Sequence, residues 1–361
     1  MSLKAVVMAG GKGTRLRPIT YSIPKPLVPI AGKPCVSYLM DSFYDAGIKD
    51  AIVTTGYKFE SLINGIIEAK KPDQNVLFSV EREPAGTAGS VKLISNFIDD
   101  TIVVGSGDIL YDFDIKSIID FHKKKNASVT IVLTRVDDPS QFGIVDLKDD
   151  VITRFLEKPA AGEAFSNIVN AGIYVIEPEV LKYIDKIPFD FAKELFPRLM
   201  RHGTPIYGYL GNGTWLDTGR PNDLIKGNQI MVNKYGFKYD SKNITGKNII
   251  KTTSDLSDDI IDSSYIGTNL QIGKNTVIKG SAIYNGVVLG NNVHIEDSII
   301  MDASRIMDNT VIKKSVIMRN CVIGEDSEII ESVISPDLDL HGKSRVYNVS
   351  LASKIITDEQ V

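Results

Sequence analysis

The sequence predicts an α/β domain with a mostly parallel mixed sheet, followed by a parallel β-helix. Across the first two thirds of its 361 residues, short apolar runs alternate with stretches whose apolar residues recur at helical spacing. In the last third, aliphatic residues return every 17 positions. Residues 9–27, after the first predicted strand, form a basic loop rich in glycine. Together these features indicate a ligand-binding α/β domain joined to a repeat domain.

Four apolar runs predict the strands of the first domain. They read "KAVVMAG", "AIVTTG", "TIVVGSGD" and "SVTIVLTRV", and each is short and bounded by polar or turn residues. Between them, apolar residues fall at helical spacing around residues 36–43 and 62–67, and the segment "DIKSIIDFHKKK" at 114–125 predicts a further helix. This alternation predicts parallel strands with helices packed on the sheet. Ligands of such sheets bind at the carboxyl ends of the strands, so we expect the glycine loop and Asp108 there.

The later part of the first domain is less parallel in character. The segment "GIVDLKDDVITRFLEKP" predicts a hairpin that turns at Asp149 and Asp150. The segment "RPNDLIKGNQIMVNKYG" predicts a helix that closes the domain near residue 236. We therefore expect a first domain over residues 1–236, a linker over 237–262 and the repeat domain over 263–361.

Three columns of branched aliphatic residues, each with a period of 17, define the repeat domain. Within one repeat the aliphatics are six, six and five residues apart, so each coil has three short faces. Columns of serine and of asparagine or aspartate accompany them and suit the corners. The pattern resembles the left-handed β-helix of hexapeptide-repeat proteins. The columns are Ile266, Ile283, Ile300, Ile317 and Ile334; Ile272, Leu289, Ile306, Ile323 and Leu340; Ile278, Ile295, Ile312, Ile329 and Val346.

Composition excludes several classes of function. The formal net charge of −4 argues against a broad nucleic-acid surface, so any basic site is local. No apolar stretch approaches the ~20 residues of a membrane helix, and the apolar run in the opening "MSLKAVVMAGG" is too short for a signal peptide. Cys35 and Cys321 lie far apart and have no metal-ligand spacing. We expect a cytoplasmic protein with reduced thiols and with neither nucleic-acid nor membrane partners.

The basic loop predicts a bound anion. Six cationic residues precede the first acidic residue, Asp41. A glycine-rich turn after a strand lets backbone N–H groups approach a phosphate while cations offset its charge. The loop lacks the final Lys-Ser/Thr of a Walker loop, and Leu16 stands where the dinucleotide fingerprint needs its third glycine. Neither common phosphate loop fits, and a generic glycine loop with surface charge is the remaining alternative.

The loop "AGGKGTRLRPITYSIPKPLVPIAGKP" resembles the signature of sugar-1-phosphate nucleotidyltransferases, GGxGTRLxPLT followed by PKPL. It departs lightly, with Ile19 where leucine is usual. Further blocks follow in the family's order: "EPAGTAG" at 83–89, "GSGD" at 105–108, "FGIV" at 142–145, "FLEKP" at 155–159, "NAGIY" at 170–174 and "WLDTG" at 215–219. The resemblance implies a Rossmann-like nucleotidyltransferase domain, and several branches of the family also carry a β-helical tail.

The resemblance implies a reaction that needs no enzyme nucleophile. A sugar 1-phosphate attacks the α-phosphorus of a nucleoside triphosphate and pyrophosphate leaves, so positioning, cations and Mg²⁺ supply the rate. Carried over onto this sequence, the catalytic residues are Arg15, Lys25 and Lys158, and the Mg²⁺ ligands are Asp108 and Asp217. The nucleotide-binding residues are Ala9, Gly10, Gly11, Gly13, Thr14, Glu83, Gly86 and Thr87. The sugar-binding residues are Gly143, Glu157 and Asn170.

The block "EPAGTAG" lies where the family reads the base. It is similar to the EPLGTAG of mannose-1-phosphate guanylyltransferases, with Ala85 in place of leucine. We therefore predict guanylyl transfer to mannose 1-phosphate. Thymidylyl or uridylyl transfer to glucose 1-phosphate is the alternative, and those relatives more often carry glutamine near the start or end of this block.

Two further alternatives concern the β-helix and the loss of activity. An added acetyltransferase would need a histidine base, and only His294 and His341 lie in the coils. A non-catalytic regulatory paralogue that binds nucleotide sugars would have lost part of the machinery. Arg15, Lys25, Asp108, Lys158 and Asp217 are all present. We therefore expect an enzyme whose β-helix serves homo-oligomerisation or regulation.

Overall fold

The computed structural model describes residues 3–352. Its contacts divide the chain into two units. Unit 1 contains the residues up to Gly11 together with Cys35–Leu216, and unit 2 contains Lys12–Pro34 together with the chain from Asp217 onwards. Residues 237–262, predicted as a linker, contain the strands Phe237–Asp240, Ile244–Ile250 and Ile260–Asp262. The domain boundaries given above stay a prediction, and residues 353–361 of the predicted repeat domain lie outside the described residues.

Unit 1 is built on a nine-stranded mixed sheet. The strands are β1 Lys4–Met8, β2 Asp50–Thr55, β3 Asn75–Val80, β4 Ile102–Ser106, β5 Val129–Arg135, β6 Gly143–Lys148, β7 Val151–Glu157, β8 Ile168–Ile176 and β9 Ile206–Leu210. Their spatial order is β3-β2-β1-β4-β8-β5-β9-β7-β6. The first four strands of this order pair in parallel, as do β5 and β9, and the other neighbours are antiparallel. The predicted α/β domain with a mixed sheet is confirmed.

Helices of unit 1 bury one apolar face each. Helix α4 begins after Asp114, whose carboxylate accepts the Ser117 N–H at 3.1 Å, and ends at Asn126 in the left-handed conformation. Asp114 thus has the helix-capping role that its position predicts. The helices are α1 Cys35–Asp45, α2 Phe59–Ala69, α3 Thr87–Leu93, α4 Ile115–Lys125 and α5 Phe196–Arg201, and a π-helical turn spans Phe191–Leu195.

The hairpin predicted at Asp149 and Asp150 is present between β6 and β7. Both turn residues have positive φ, 51° and 67°, and the flanking strands pair in antiparallel fashion from Lys148 and Val151 outwards. Two consecutive residues with positive φ suit the right-handed twist of the flanking strands. A shift of one residue in the register between Ile152 and Arg154 then places Glu157 opposite Gly143.

Four adjacent parallel strands bring their carboxyl ends to one edge of the sheet. At this edge β3 is followed by Glu81, β2 by Gly56, β1 by residues 9–11, and β4 by Gly107 and Asp108. The Gly107 N–H donates to the Met8 carbonyl at 2.9 Å and ties the ends of β4 and β1 together. The edge is where sheets of this class hold their ligands.

Unit 2 contains a parallel β-helix in which each coil stacks on the next with a register of 17 residues. The pairs Ile266–Ile283, Ile272–Leu289 and Ile278–Ile295 show that the predicted columns are real ladders. Their side chains fill a continuous aliphatic core. The first face has strands Ile260–Asp262, Val277–Lys279, His294–Glu296, Val311–Lys313, Glu328–Ile330 and Arg345–Tyr347. The second has Tyr265–Ile266, Ala282–Ile283, Ile299–Ile300, Val316–Ile317, Val333–Ile334 and Ser350–Leu351, and the third Gln271–Ile272, Val288–Leu289, Arg305–Ile306, Val322–Ile323 and Asp339–Leu340.

The polar columns satisfy the backbone at the corners of the coils. The buried Ser298 hydroxyl donates to the Glu296 carbonyl at 2.7 Å and accepts the Ser315 N–H of the next coil at 3.1 Å. Asn275 and Asn292 lie at positive φ, where asparagine costs less than most residues, and their amides bond along the column. Sequence repeat and hydrogen bonding thus specify the same register.

Unit 2 also includes helix α6, Pro221–Tyr235, and the short antiparallel strands Pro29–Ile30 and Lys33–Pro34. These two strands form a small hairpin just after the PKPL segment of the basic loop. Within residues 3–352, no helix combines the length and hydrophobicity needed to span a bilayer.

Candidate active site

The first part of the glycine loop lies in unit 1, at the end of β1. The Ala9 N–H donates to the Thr54 carbonyl at 2.8 Å, so the chain is held to β2 as it leaves the sheet. Around Gly11 no heavy atom lies within 4 Å of the place a Cβ would occupy, and the residue is exposed. A Cβ on Gly10 would lie 3.5 Å from Glu81 Oε1. An anion can therefore approach this backbone closely.

The second part of the loop lies in unit 2 and depends on one glycine. Gly13 has φ of +61°, and a Cβ there would lie 2.9 Å from Thr20 Cγ2 and 3.2 Å from Lys25 Cβ. The Thr20 hydroxyl donates to the Gly13 carbonyl at 2.9 Å. Any larger residue would combine backbone strain with a steric clash. The loop then continues through exposed Thr14 into a single 3₁₀ turn that carries Arg15.

Two cations of the loop converge on one carboxylate in unit 2. Lys25 Nζ lies 2.9 Å from Asp217 Oδ1, and Arg15 Nη2 lies 2.9 Å from Asp217 Oδ2. The Lys25 side chain is 5% exposed and the Arg15 side chain is 51% exposed. The lysine is thus fixed in place by its buried ion pair, whereas the guanidinium lies where a phosphate can reach it. The sequence separates Asp217 from these cations by about two hundred residues, yet the fold joins them.

Asp108 and Asp217 suit a divalent metal ion in their donor chemistry, because hard cations prefer carboxylate oxygens. Asp108 Oδ1 accepts the Ser106 hydroxyl at 2.6 Å, which orients the carboxylate. A metal that binds Asp217 must share or replace a cation now bonded to it. Among residues 3–352, no three His, Cys, Asp or Glu side chains group as a metal centre. Each aspartate by itself offers carboxylate oxygens to a hard cation, and their joint binding of a metal ion stays a prediction.

Glu81 is a functional candidate that the sequence analysis missed. It directly follows β3, and its Oε2 accepts the Ala85 N–H at 3.0 Å. Burial raises the pKa of this half-buried carboxyl. Glu83, which the sequence favoured, is exposed and makes no hydrogen bond within the described part of the chain. The position of Glu81 in the predicted sheet could have identified it. Glu81 lies directly at the carboxyl end of a parallel strand, where ligands bind, and Glu83 lies two residues beyond it.

The rest of the base-reading block is docked on a second segment of unit 1. Gly86 has φ of +75°, and a Cβ there would lie 2.5 Å from the Phe189 carbonyl oxygen. The Thr87 hydroxyl donates to Asp190 Oδ2 at 3.0 Å and accepts the Phe191 N–H at 2.9 Å. The Thr87 side chain is thus used within the protein. Its hydroxyl could therefore offer a nucleotide only its remaining acceptor lone pair, whereas donation would have to come from the backbone.

Three predicted sugar-binding residues lie on β6, β7 and β8. A Cβ on Gly143 would lie 2.7 Å from Glu157 Oε2, so only glycine lets the carboxylate take its place. Burial raises the pKa of Glu157, and the neighbouring Lys158 charge opposes that rise. Asn170 donates to the Tyr174 hydroxyl at 3.0 Å and accepts the Gly172 N–H at 2.9 Å. These groups offer both donors and acceptors to hydroxyls.

Lys158 stands in a strained backbone conformation at the end of β7. Its φ is +49°, although it is not glycine, and its N–H donates to the Phe142 carbonyl at 3.0 Å. Such strain is typical of functional positions. The Phe142 ring packs edge-on against Trp215 at 5.0 Å, and the Trp215 indole donates to the Ala171 carbonyl at 2.9 Å. The sequence analysis did not assign a role to Trp215.

Fold and loop together define a nucleotidyltransferase, and comparison with known proteins agrees. The model of the family described as nucleotidyl transferase matches residues 4–234, and a model described as the GMPPB C-terminal domain matches residues 260–360. The chain belongs to the nucleotidyl transferase family. The predicted class, a sugar-1-phosphate nucleotidyltransferase followed by a β-helix, is confirmed. Enzymes of this family use a divalent metal ion.

Two sequence relatives and one solved structure describe what the chain is similar to. The chain is 38% identical over 242 residues to a mannose-1-phosphate guanyltransferase of Yarrowia lipolytica, covering 65% of this chain and 66% of the relative. It is 34% identical over 255 residues to that of Saccharomyces cerevisiae, covering 69% and 70%. The solved structure of HddC from Yersinia pseudotuberculosis with GMP-PN is 27% identical, with a TM-score of 0.56, and covers 63% of this chain and 99% of that one.

Proposed function

We propose that this chain transfers the guanylyl group of GTP to mannose 1-phosphate in the presence of Mg²⁺. The observation that carries the proposal is the pair of loop cations, Arg15 and Lys25, gathered on Asp217 beside a glycine loop. Such a loop suits a polyanion, and the related proteins bear the name mannose-1-phosphate guanyltransferase.

In the proposed reaction a phosphate oxygen of mannose 1-phosphate attacks the α-phosphorus of GTP. A new P–O bond forms, the bond to the β-phosphate oxygen breaks, and pyrophosphate leaves with the electron pair. Both substrates are already anionic, so the attacking oxygen needs no general base. The protein has to hold two polyanions in line and stabilise the charge that grows on pyrophosphate.

Residues of unit 2 would act on the triphosphate. The backbone at Gly13 and Thr14 would approach the phosphates, and Arg15 would donate to the departing pyrophosphate through its planar fork. Lys25 is buried against Asp217 and would supply a fixed positive charge near the α-phosphate. Because Arg15 is half-exposed, it can exchange its carboxylate partner for a phosphate at little cost.

Residues of unit 1 would hold the sugar phosphate and the rest of the nucleotide. Lys158 would bind the phosphate of mannose 1-phosphate, and Glu157 and Asn170 would bond its hydroxyls. Backbone groups of residues 9–11 would extend the cradle for the triphosphate. Burial raises the pKa of Glu157, so its hydroxyl-binding carboxylate protonates at higher pH than an exposed glutamate.

Mg²⁺ is the metal that best suits the proposed site. Asp108 and Asp217 would each provide carboxylate oxygen, and Mg²⁺ is commonly bound by one or two carboxylates together with substrate phosphates. When bound, the ion would neutralise part of the triphosphate charge and thereby assist the departure of pyrophosphate.

Glu81 supports guanine as the base. Guanine presents two adjacent donors, N1–H and N2–H₂, and a carboxylate has two oxygens that can accept both. Uracil and thymine present one donor between two acceptors, which suits the amide of glutamine better. Glu81 lies two residues before the base-reading block and retains capacity to accept beyond its bond from Ala85.

A pyrophosphate-release assay with Mg²⁺ tests the proposal. It pairs GTP, UTP, dTTP, ATP and CTP with mannose, glucose, N-acetylglucosamine and glucosamine 1-phosphates. We expect the highest kcat/KM for GTP with mannose 1-phosphate. A maximum for dTTP or UTP with glucose 1-phosphate would retain the mechanism and refute the base assignment. If no pair of substrates released pyrophosphate, the proposed transferase activity would be refuted, and a non-catalytic regulatory paralogue would be favoured.

Glu81→Gln is expected to lower kcat/KM for GTP by about 10- to 100-fold, because it removes one acceptor from guanine and turns a donor towards it. Activity with dTTP or UTP should fall less or rise, so the ratio of the two values is the measurement. Glu83→Gln is the matched control, since Glu83 is exposed and two residues away. Equal ratios in the two variants would show that Glu81 does not read the base.

Homo-oligomerisation through the β-helix and a cytoplasmic location stay predictions. Light scattering of the full chain over a range of concentrations measures the first. A single monomeric mass at every concentration would contradict it.

A further inference from the structure

The hairpin that follows the PKPL segment turns at two residues of unusual backbone conformation. Ala31 has φ of +45° and Gly32 has φ of +85°. The turn is not solvated, because Ala31 is buried and Ile30 beside it is fully buried. A solvent-exposed loop would need neither feature, so something in unit 2 must hold this turn.

Asn228 of helix α6 holds the turn through its side-chain amide. Its Oδ1 accepts the Ala31 N–H at 2.8 Å, and its Nδ2 donates to the Leu224 carbonyl at 2.8 Å. The same Oδ1 accepts the hydroxyl of Tyr284, in the β-helix, at 2.9 Å. Asn228 is 2% exposed, so these bonds have no competition from water. One amide therefore joins the loop, helix α6 and the β-helix.

A second tyrosine of the β-helix packs on the same turn. A Cβ on Gly32 would lie 2.7 Å from Tyr265 Cζ, so the ring contacts the backbone directly. The rings of Tyr265 and Tyr284 lie 5.2 Å apart between centroids, and both are buried. The first coils of the β-helix thus form a wall against which the turn is placed.

The turn is connected to Lys25 by a short, stiff stretch of chain. The Val28 N–H donates to the Lys25 carbonyl at 3.1 Å, closing a 3₁₀ turn, and Val28 and Ile30 are fully buried. At the other end, Lys25 is bonded to Asp217, which lies four residues before the first residue of α6. The loop is therefore fixed at Lys25 to Asp217 and at Ala31 to α6.

The segment that leads into α6 also contacts Arg15, at Gly219. A Cβ on Gly219 would lie 3.1 Å from the Arg15 guanidinium carbon, and Gly219 is buried between Asp217 and α6. A displacement of α6 would thus change the positions of both loop cations.

We propose that Asn228, together with Tyr284, is a positioning residue through which the β-helix sets the place of the loop that carries Arg15 and Lys25. The proposal rests on the function proposed above, in which these cations bind the triphosphate. It gives the β-helix an indirect part in catalysis that requires neither an active site of its own nor a second subunit. Misplacement of a phosphate-binding group by about 1 Å can lower a rate by about 100-fold.

The test compares two neighbouring amides on α6. Asn228→Leu removes the bonds to the loop and to Tyr284. Gln229→Leu is the matched control, because Gln229 also joins α6 to the β-helix, through Gly280 and Asp297, without touching the turn. We expect Asn228→Leu to lower kcat/KM for GTP by about 10- to 100-fold and to leave the KM for the sugar phosphate within about twofold. Gln229→Leu should leave kcat/KM for GTP and the KM for the sugar phosphate within about threefold of wild type. It should lower Tm by about as much as Asn228→Leu does.

Two further measurements keep the outcomes distinct. If Asn228→Leu does not fold, Tyr284→Phe removes only one hydroxyl, and a loss of about threefold or more in kcat/KM for GTP is expected. Calorimetry with Mg·GTP measures nucleotide affinity independently of turnover. Wild type without any transferase activity would refute the proposed function alone. Equal GTP affinity and equal kinetics in Asn228→Leu and Gln229→Leu would overturn the positioning role.

Discussion

Asp108→Asn is expected to lower kcat by about 1,000-fold or more, which corresponds to about 4 kcal/mol of transition-state stabilisation. An amide oxygen is a far weaker ligand for Mg²⁺ than a carboxylate and brings no charge to the metal. The fold should survive, because the amide oxygen can still accept the Ser106 hydroxyl that Asp108 Oδ1 accepts at 2.6 Å. The measurement is steady-state pyrophosphate release at saturating GTP and mannose 1-phosphate, with Tm recorded for each variant.

Asp114→Asn is the matched control for this prediction. Asp114 lies six residues further along and caps helix α4 by accepting the Ser117 N–H, a role that asparagine fills equally well. We expect its kcat to stay within about twofold. Calorimetry adds a second readout, since Asp108→Asn should remove the Mg²⁺ dependence of GTP affinity while Asp114→Asn retains it. Full activity in Asp108→Asn would remove Asp108 from the metal site.

The β-helix was the part of the fold most open to prediction. Each coil must fill the same place in the core, so the same residue types recur every 17 residues. The pairing of Ile266 with Ile283 and of Ile283 with Ile300 could therefore be predicted from the spacing alone. The turn at Asp149 and Asp150 was equally readable, because two residues that tolerate positive φ stand between two apolar runs. Both features depend on residues close together in the sequence or on a regular repeat, so a single sequence is enough to predict them.

The contacts that build the site were not readable in this way. Arg15, Lys25 and Asp217 each stand in a recognisable block, but their mutual ion pairs join residues about two hundred positions apart. Glu81 and Asn228 carry no motif, and their roles follow from a strand end and from a helix packed on the loop. Such roles depend on tertiary packing, which has no fixed spacing along the chain.

The packing of the loop shows the same limit. Within unit 2, Lys12–Pro34 is grouped with Asp217 and the β-helix. The Tyr265 ring contacts the turn at Gly32, and the Tyr284 hydroxyl donates to Asn228, whose Oδ1 also accepts the Ala31 N–H. The motif of the loop gives no sign of these contacts, because they depend on residues about two hundred positions away or more.

Arg15→Ala is expected to lower kcat by about 1,000-fold, because the guanidinium would stabilise the charge that grows on pyrophosphate as it leaves. Arg15 is a cleaner test than Lys25. The Lys25 side chain is 5% exposed, and its loss would leave the mostly buried Asp217 carboxylate with one partner fewer, which costs about 3–5 kcal/mol of stability. The Arg15 side chain is 51% exposed, so its ion pair with Asp217 contributes about 1 kcal/mol or less.

Two variants separate the role of the fork from the role of charge. Arg15→Lys keeps the positive charge but loses the bidentate geometry, so we expect kcat between those of wild type and Arg15→Ala, about 10- to 100-fold below wild type. Arg17→Ala is the control within the same loop, because its guanidinium lies over the Tyr21 ring at 4.9 Å, and it should change kcat by about threefold or less. Equal losses in Arg15→Ala and Arg17→Ala would mean that the loop acts through its total charge. A loss confined to Arg15, with Tm preserved, would identify the group that receives the departing pyrophosphate.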